Sequence, residues 1–242
     1  MRAGMMISEI AFSNMPVLLK NAGIEFCILD CEHGGFDYAE VSRLIMTARL
    51  CGLELIVRLA NNERKDVVKY LDMGADGLLL PMTNTAEDIR KVADYAKYPP
   101  LGHRGISTMR AHTLYAPPPV LEYMPAGNAR TKIFAQAETR AGVENIDRIL
   151  AVPGVSGCFI GPNDLSADYE CLGDPNAPPI LKAIERVGEA AAAAGKISGM
   201  ITANKNYLSK AKSCRFITQK SSADFSPSPL VLAIRVFTSF ST

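Results

Sequence analysis

The chain has 242 residues, 48% of them hydrophobic and 21% charged, with a formal net charge of +1. This is the profile of a globular protein with a substantial core, long enough for one large barrel or two smaller domains. It gives no bulk electrostatic reason for a nucleic-acid or anionic-membrane partner, and no polybasic run appears.

Short β-type runs alternate with longer helical ones from the start of the chain. Residues 4–8 read as a first strand and 15–22 as a helix. Phe26-Cys27-Ile28-Leu29 is a continuous apolar strand. Residues 37–51 have helical spacing, with Val41, Leu44, Ile45 and Ala48 on one face and Gly52 as C-cap. Residues 54–58 form the third strand and 63–73 a helix closed by Gly74. Residues 77–80 form the fourth strand, stopped by Pro81, and Thr85 caps a helix to about residue 95. A Pro- and Gly-rich excursion over 98–130 has the character of a long loop near an active site.

Two strands with polar ends follow, over 132–138 and 157–164, separated by a helix near 143–150. A helix over 180–194 ended by Gly195, a strand over 196–201, a helix over 204–213 and a strand over 215–218 complete the series. Eight strands alternating with at least seven helices predict a single (β/α)8 TIM barrel over residues 1–242. An open doubly wound sheet is the alternative, but no GxGxxG follows the first strand. Six cysteines (Cys27, Cys31, Cys51, Cys158, Cys171, Cys214) form no CxxC pair and read as reduced structural thiols. The apolar run at the start is too short for a signal peptide and no stretch approaches a membrane span, so a cytoplasmic protein is expected.

In such a barrel, chemistry belongs at the C-terminal ends of the strands. There the fifth strand supplies Glu138 and the sixth Asp164, two carboxylates suited to a divalent cation. The second strand leads into Asp30-Cys31-Glu32-His33, where a histidine beside carboxylates serves as an acid/base or only satisfies loop backbone. Arg58 ends the third strand, placed to polarise a carbonyl or to make a rim salt bridge. Gly161-Pro162-Asn163-Asp164 shapes a turn whose N–H groups suit a carboxylate; Asp164 or Ser166 otherwise caps the turn that follows. Lys132 and Lys196 begin their strands, the wrong end for a Schiff-base lysine. His112 reads as a surface or interface residue.

These stretches, with Leu71-Asp72-Met73-Gly74-Ala75, Leu80-Pro81-Met82, Tyr98-Pro99-Pro100-Leu101-Gly102-His103-Arg104-Gly105 and Gln136-Ala137-Glu138-Thr139, resemble the HpcH/HpaI aldolase/citrate lyase family in order from about residue 20 to 205. The resemblance implies a barrel of the phosphoenolpyruvate/pyruvate type. It implies a class II aldolase cleaving a 4-hydroxy-2-oxo acid to pyruvate and an aldehyde through a metal-stabilised enolate. By the same resemblance Glu138 and Asp164 ligate Mg, Mn or Co, His33 assisted by Asp30 is the acid/base, and Arg58 steadies the enolate oxygen. Gln136 and Pro162 line the site, while Gly161 and Asn163 offer N–H groups to the pyruvate carboxylate; Arg104 supports its loop or a subunit contact. Partners are then a small 2-oxo acid and an aldehyde, with no nucleic acid and no membrane. A homo-oligomer is implied, a hexamer as a trimer of dimers exchanging the eighth helix. Residues 219–242 diverge from the family pattern. An acyl-CoA lyase of the citramalyl- or malyl-CoA type and a non-catalytic barrel are the competing functions.

Overall fold

The computed structural model describes residues 2–174, 176–202, 207 and 217–219. Its strands are β1 (Ala3–Ile7), β2 (Phe26–Asp30), β3 (Glu54–Arg58), β4 (Gly77–Leu80), β5 (Lys132–Ala137), β6 (Gly157–Ile160), β7 (Ile197–Met200) and β8 (Ile217–Gln219). All are parallel and hydrogen-bonded in chain order, and β8 pairs back onto β1 to close the barrel. The helices are α1 (Met15–Asn21), α2 (Tyr38–Cys51), α3 (Arg64–Met73), α4 (Ala86–Ala96), α5 (Val120–Arg130), α6 (Arg140–Glu144), α7 (Ile146–Leu150), α8 (Pro162–Asp168) and α9 (Pro178–Ala193). The helix expected over 204–213, apart from Tyr207, and with it the question of an exchanged eighth helix, lies outside the described residues. So does the divergent tail apart from Gln219.

Local chemistry sets the boundaries. A reciprocal capping box starts α2, Asp37 accepting from the Glu40 N–H and Glu40 from the Asp37 N–H; the chain leaves that helix through Gly52 at φ 70°. Thr85 and Asp88 form the equivalent box on α4. Thr85→Ala should lower stability by about 1 kcal/mol, read as a lower denaturant midpoint at unchanged slope. Two helical stretches depart from expectation before the sixth strand. The excursion over 98–130 ends in a full helix, α5, and the single helix expected near 143–150 is two short ones, α6 capped by the Thr139 hydroxyl and then α7.

Alternation along the strands sorts the core into two layers. Phe26, Ile28, Ile56, Leu79, Phe134 and Phe159 fill the barrel interior, with Phe134 and Phe159 edge-to-face at 5.2 Å. Gly4 and Gly199 leave the room those rings need, since a Cβ would fall 2.4 Å from Phe26 and 2.3 Å from Phe159. Their neighbours Cys27, Leu29, Leu55, Val57, Leu78, Leu80, Ile133, Ala135, Cys158 and Ile160 face outward into the layer beneath the helices. Counting on by twos from the interior set reaches Asp30, Arg58, Gln136 and Glu138 at the C-terminal mouth.

Candidate active site

Asp30 and Arg58 are register partners at the ends of β2 and β3. Arg58 donates Nε to Asp30 Oδ1 at 2.9 Å and Nη2 to Oδ2 at 2.7 Å, both side chains almost fully buried. Asp30 also accepts from the Ser8 hydroxyl at 3.1 Å and from the N–H groups of Glu32 and His33 at 3.1 and 3.2 Å. Burial pushes the Asp30 carboxyl up, but the Arg58 hydrogen bonds and charge and the two amides outweigh it and hold the group below its usual range. Arg58 is likewise resisted by burial yet held more firmly protonated by Asp30, then by the charges of Glu32 and Glu138.

The second part of the mouth is Glu138, buried just past β5. Its Oε1 accepts the Met82 N–H at 2.6 Å, and its Oε2 accepts from Gln136 Nε2 at 2.5 Å. Met82 presents that N–H from a left-handed backbone, φ 49°, immediately after β4 and Pro81. Desolvation first, and then the charges of Asp164 and Glu32, raise the Glu138 carboxyl to about 7 despite its two donors. Asp164 reaches the site from the first turn of α8. The segment read as a turn is thus a short helix with Pro162 at its start, where a missing N–H costs nothing. Gly161 permits the approach, because a Cβ there would lie 2.6 Å from Glu138 Oε2. Ser166 caps nothing; its hydroxyl donates back to the Asn163 carbonyl at 2.6 Å.

Several expected roles meet a different geometry. The Gly161 N–H donates to the Ala137 carbonyl at 3.2 Å, so it is engaged and not free for a substrate carboxylate. Pro162 has no N–H to offer; Asn163, in the first helical turn, has one without an intrahelical acceptor. Asp30 reaches the His33 backbone N–H, whereas the ring, whose side chain is 70% exposed, stands 3.9 Å from Glu32. His112 is not a surface residue: it is completely buried against the Tyr123 ring, with Nδ1 3.3 Å from the Asp72 carbonyl. Arg104 pairs with Asp72 at 2.7 Å and stacks on Tyr98, away from the mouth. Sequence reading missed Met82, whose contribution is a backbone N–H and therefore leaves no side-chain signature. It also gave no role to Glu32, although that residue stands inside the Asp30–His33 motif.

The donor set suits a hard divalent cation. The charges of Asp164 and Glu32 raise the Glu138 carboxyl, Gln136 Oε1 is buried without a partner, and the Arg58 guanidinium is held protonated in part by the charges of Glu32 and Glu138. Among the described residues no three His, Cys, Asp or Glu side chains form a complete metal-ligand cluster. Among the described residues, three lysines with buried or half-buried ammonium groups are all engaged away from the mouth. Lys132 bonds Glu54 and Lys196 the Leu150 carbonyl, while the buried Lys97, lowered to about 8 by desolvation, is spent on the carbonyls of Asn128 and Thr131.

The structure is thus a closed parallel α/β barrel with acids gathered at its C-terminal mouth, the end at which such barrels carry their chemistry. The chain matches the HpcH/HpaI aldolase/citrate lyase family over residues 11–222, and it belongs to that family. It is 35% identical over 205 residues to a hydroxypyruvate/pyruvate aldolase of Roseobacter denitrificans, covering 81% of this chain and 79% of the relative. It is 33% identical over 184 residues to a 5-keto-4-deoxy-D-glucarate aldolase of Escherichia coli, covering 76% and 71%. The solved HpcH/HpaI aldolase of Desulfitobacterium hafniense superposes with a TM-score of 0.87 at 31% identity, covering 98% of this chain and 89% of the other. No helix among the described residues is long and apolar enough to cross a membrane.

Proposed function

We propose that the protein is a divalent-metal-dependent aldolase, reversibly cleaving a 4-hydroxy-2-oxo acid to pyruvate and an aldehyde. The observation that carries this reading is Glu138, a carboxylate buried at the C-terminal mouth, its oxygens held by the Met82 N–H and the Gln136 amide, with the charges of Asp164 and Glu32 bearing on it. Such a group is costly to ionise unless a cation shares the mouth.

A cation held by Glu138 and Asp164 would withdraw electrons from the 2-oxo group, the Lewis-acid role of a class II aldolase. The protein's own groups do the rest. Asp30 and Glu32 occupy only part of the Arg58 fork, so Nη1 and Nη2 each keep an N–H for the oxygen on which charge develops. His33 takes the C4 hydroxyl proton, the C3–C4 bond breaks to release the aldehyde, and its electron pair passes to the enolate. Return of a proton to C3 completes pyruvate. The Asn163 N–H and the Gln136 amide hold the pyruvate portion. The pairing of enolisable keto acid with free aldehyde agrees with the names of both aldolase relatives.

The apolar side chains Ile106, Met109, Leu114, Tyr115 and Leu121, exposed along the 98–121 excursion, support a homo-oligomer. Sedimentation velocity checks it, a hexamer being the outcome that agrees. For the chemistry, the protein is incubated with pyruvate in deuterated water, with and without Mg or Mn, and the methyl proton signal is followed by NMR. Metal-dependent loss of that signal is expected. No exchange with any divalent metal would shift the reading to the non-catalytic barrel. Exchange of the acetyl protons of acetyl-CoA in place of those of pyruvate would favour the acyl-CoA lyase, whose enolate forms on the thioester and whose 2-oxo acid is the carbonyl partner.

A further inference from the structure

Asp30 has no capacity left for the His33 ring. Its two oxygens already receive Arg58 twice, the Ser8 hydroxyl and two backbone N–H groups. Those amides fold residues 30–33 into a tight turn, drawn closer by Gly34, where a Cβ would fall 2.3 Å from the Asp30 carbonyl and 2.5 Å from that of Ser8. The turn sends Glu32 back over the barrel rim and His33 outward.

Glu32 is the side chain left between the two halves of the mouth. Its Oε2 lies 3.1 Å from Arg58 Nη1, and the same oxygen lies 3.9 Å from His33 Nε2. The Glu32 side chain is only 20% exposed, while the ring it faces is 70% exposed. A solvent-exposed imidazole loses orientational freedom only if something holds it, and holding it is what proximity catalysis requires. Arg58 pins one end of the arrangement through its buried pair with Asp30, so Glu32 Oε2 is a held acceptor next to an exposed ring. Burial and the nearby charges of Asp30 and Asp164 work against the Glu32 carboxylate, whereas Arg58 and His33 favour it.

We propose that Glu32, and not Asp30, is the positioning residue for His33: its Oε2 accepts the ring N–H when His33 takes up the aldol hydroxyl proton, and keeps the imidazolium over the mouth. The inference rests on the aldolase reading above, with His33 as the acid/base. No bond in the substrate is made or broken by Glu32; a proton moves from the substrate hydroxyl to one ring nitrogen, and the N–H facing Oε2 stays on the ring. Asp30 keeps a different task, which is to aim Arg58.

The test is a double-mutant cycle read on two reactions, metal-dependent pyruvate proton exchange and cleavage of a 4-hydroxy-2-oxo acid. Glu32→Gln should slow cleavage at least about 10-fold and exchange less than about 3-fold, because exchange does not need the hydroxyl proton. In a His33→Ala background the same change should cost less than about 2-fold more, the signature of residues acting as one unit. Glu32→Asp, which keeps the charge on a shorter arm, should recover part of the loss. Equal losses in both reactions would overturn the proposal, since Glu32 would then act through Arg58 or through the fold. Full additivity with His33→Ala overturns it as well. If the unaltered chain both exchanges pyruvate protons and cleaves the 4-hydroxy-2-oxo acid, the aldolase chemistry stands whatever the cycle gives; if it does neither, both readings fall together.

Discussion

Replacing Glu138 with Gln is expected to remove metal-dependent pyruvate exchange while making the metal-free protein more stable above neutral pH. Both effects come from one group. Folding raises the carboxyl from 4.5 to about 7, through burial first and then the charges of Asp164 and Glu32. A group raised on folding contributes stability that is fully present below its unfolded value and is lost as pH climbs through the folded one. The metal-free protein should therefore weaken between about pH 4.5 and 7, by at most about 3 kcal/mol from this group. Glutamine removes the slope. It still accepts the Met82 N–H, and a flip of the Gln136 amide turns that residue's unpartnered Oε1 toward the new donor. Metal chemistry should suffer badly, because loss of a ligand exceeds the about 10–100-fold typical of the groups behind it. Denaturant melts at pH 5 and pH 8 with chelator present, alongside deuterium exchange with Mn, check both halves. Equal stability loss for parent and variant across that pH range would show that Glu138 ionises freely and that the site has no need of a cation.

The sequence carries the mouth in its parity. Phe26, Ile28 and Asp30 share one face of β2, and Phe134, Gln136 and Glu138 one face along β5 and just past it, so polar residues that continue an apolar alternation mark the rim. Register is not written that way. Asp30 pairs with Arg58 because β2 and β3 align those two Cα positions, and nothing in either strand alone fixes the offset. That alignment turns a residue read as the histidine's helper into the arginine's partner. The segment from Gly161 illustrates a second limit. Pro162 is a proper first helical residue, but glycine and proline together also suit a turn, and the burial of Leu165 in the outer core layer favours the helix. Met82 shows a third, since its backbone N–H serves Glu138 and its side chain carries no chemistry. His112 went astray for a related reason: its loop is polar and Pro-rich, yet folds back so that Tyr123 and Asp72 enclose the ring.

Arg58→Leu should be the most damaging single change at the rim. Leucine fills part of the volume but leaves the Asp30 carboxylate, 2% exposed, with only the Ser8 hydroxyl and two amides. Breaking a buried pair by deleting one partner costs about 3–5 kcal/mol, most of it the penalty of the charge left behind. The pH dependence identifies that penalty. In the parent, Asp30 lies below 3.8, so its contribution is present above that value and lost as pH falls through the folded one. Without Arg58, burial dominates and Asp30 is pushed up, so the variant should recover stability relative to the parent as pH drops from 7 toward 4. Adding Asp30→Asn to Arg58→Leu should restore much of the loss at pH 7, the opposite of additive damage. Pyruvate exchange should fall at least about 100-fold in both variants, because a charge-stabilising donor is gone in each. A cost in Arg58→Leu that is the same at pH 4 and pH 7, and that Asp30→Asn deepens, would mean the arginine contributes through packing of its stem and not through the charge it meets at the end of β2.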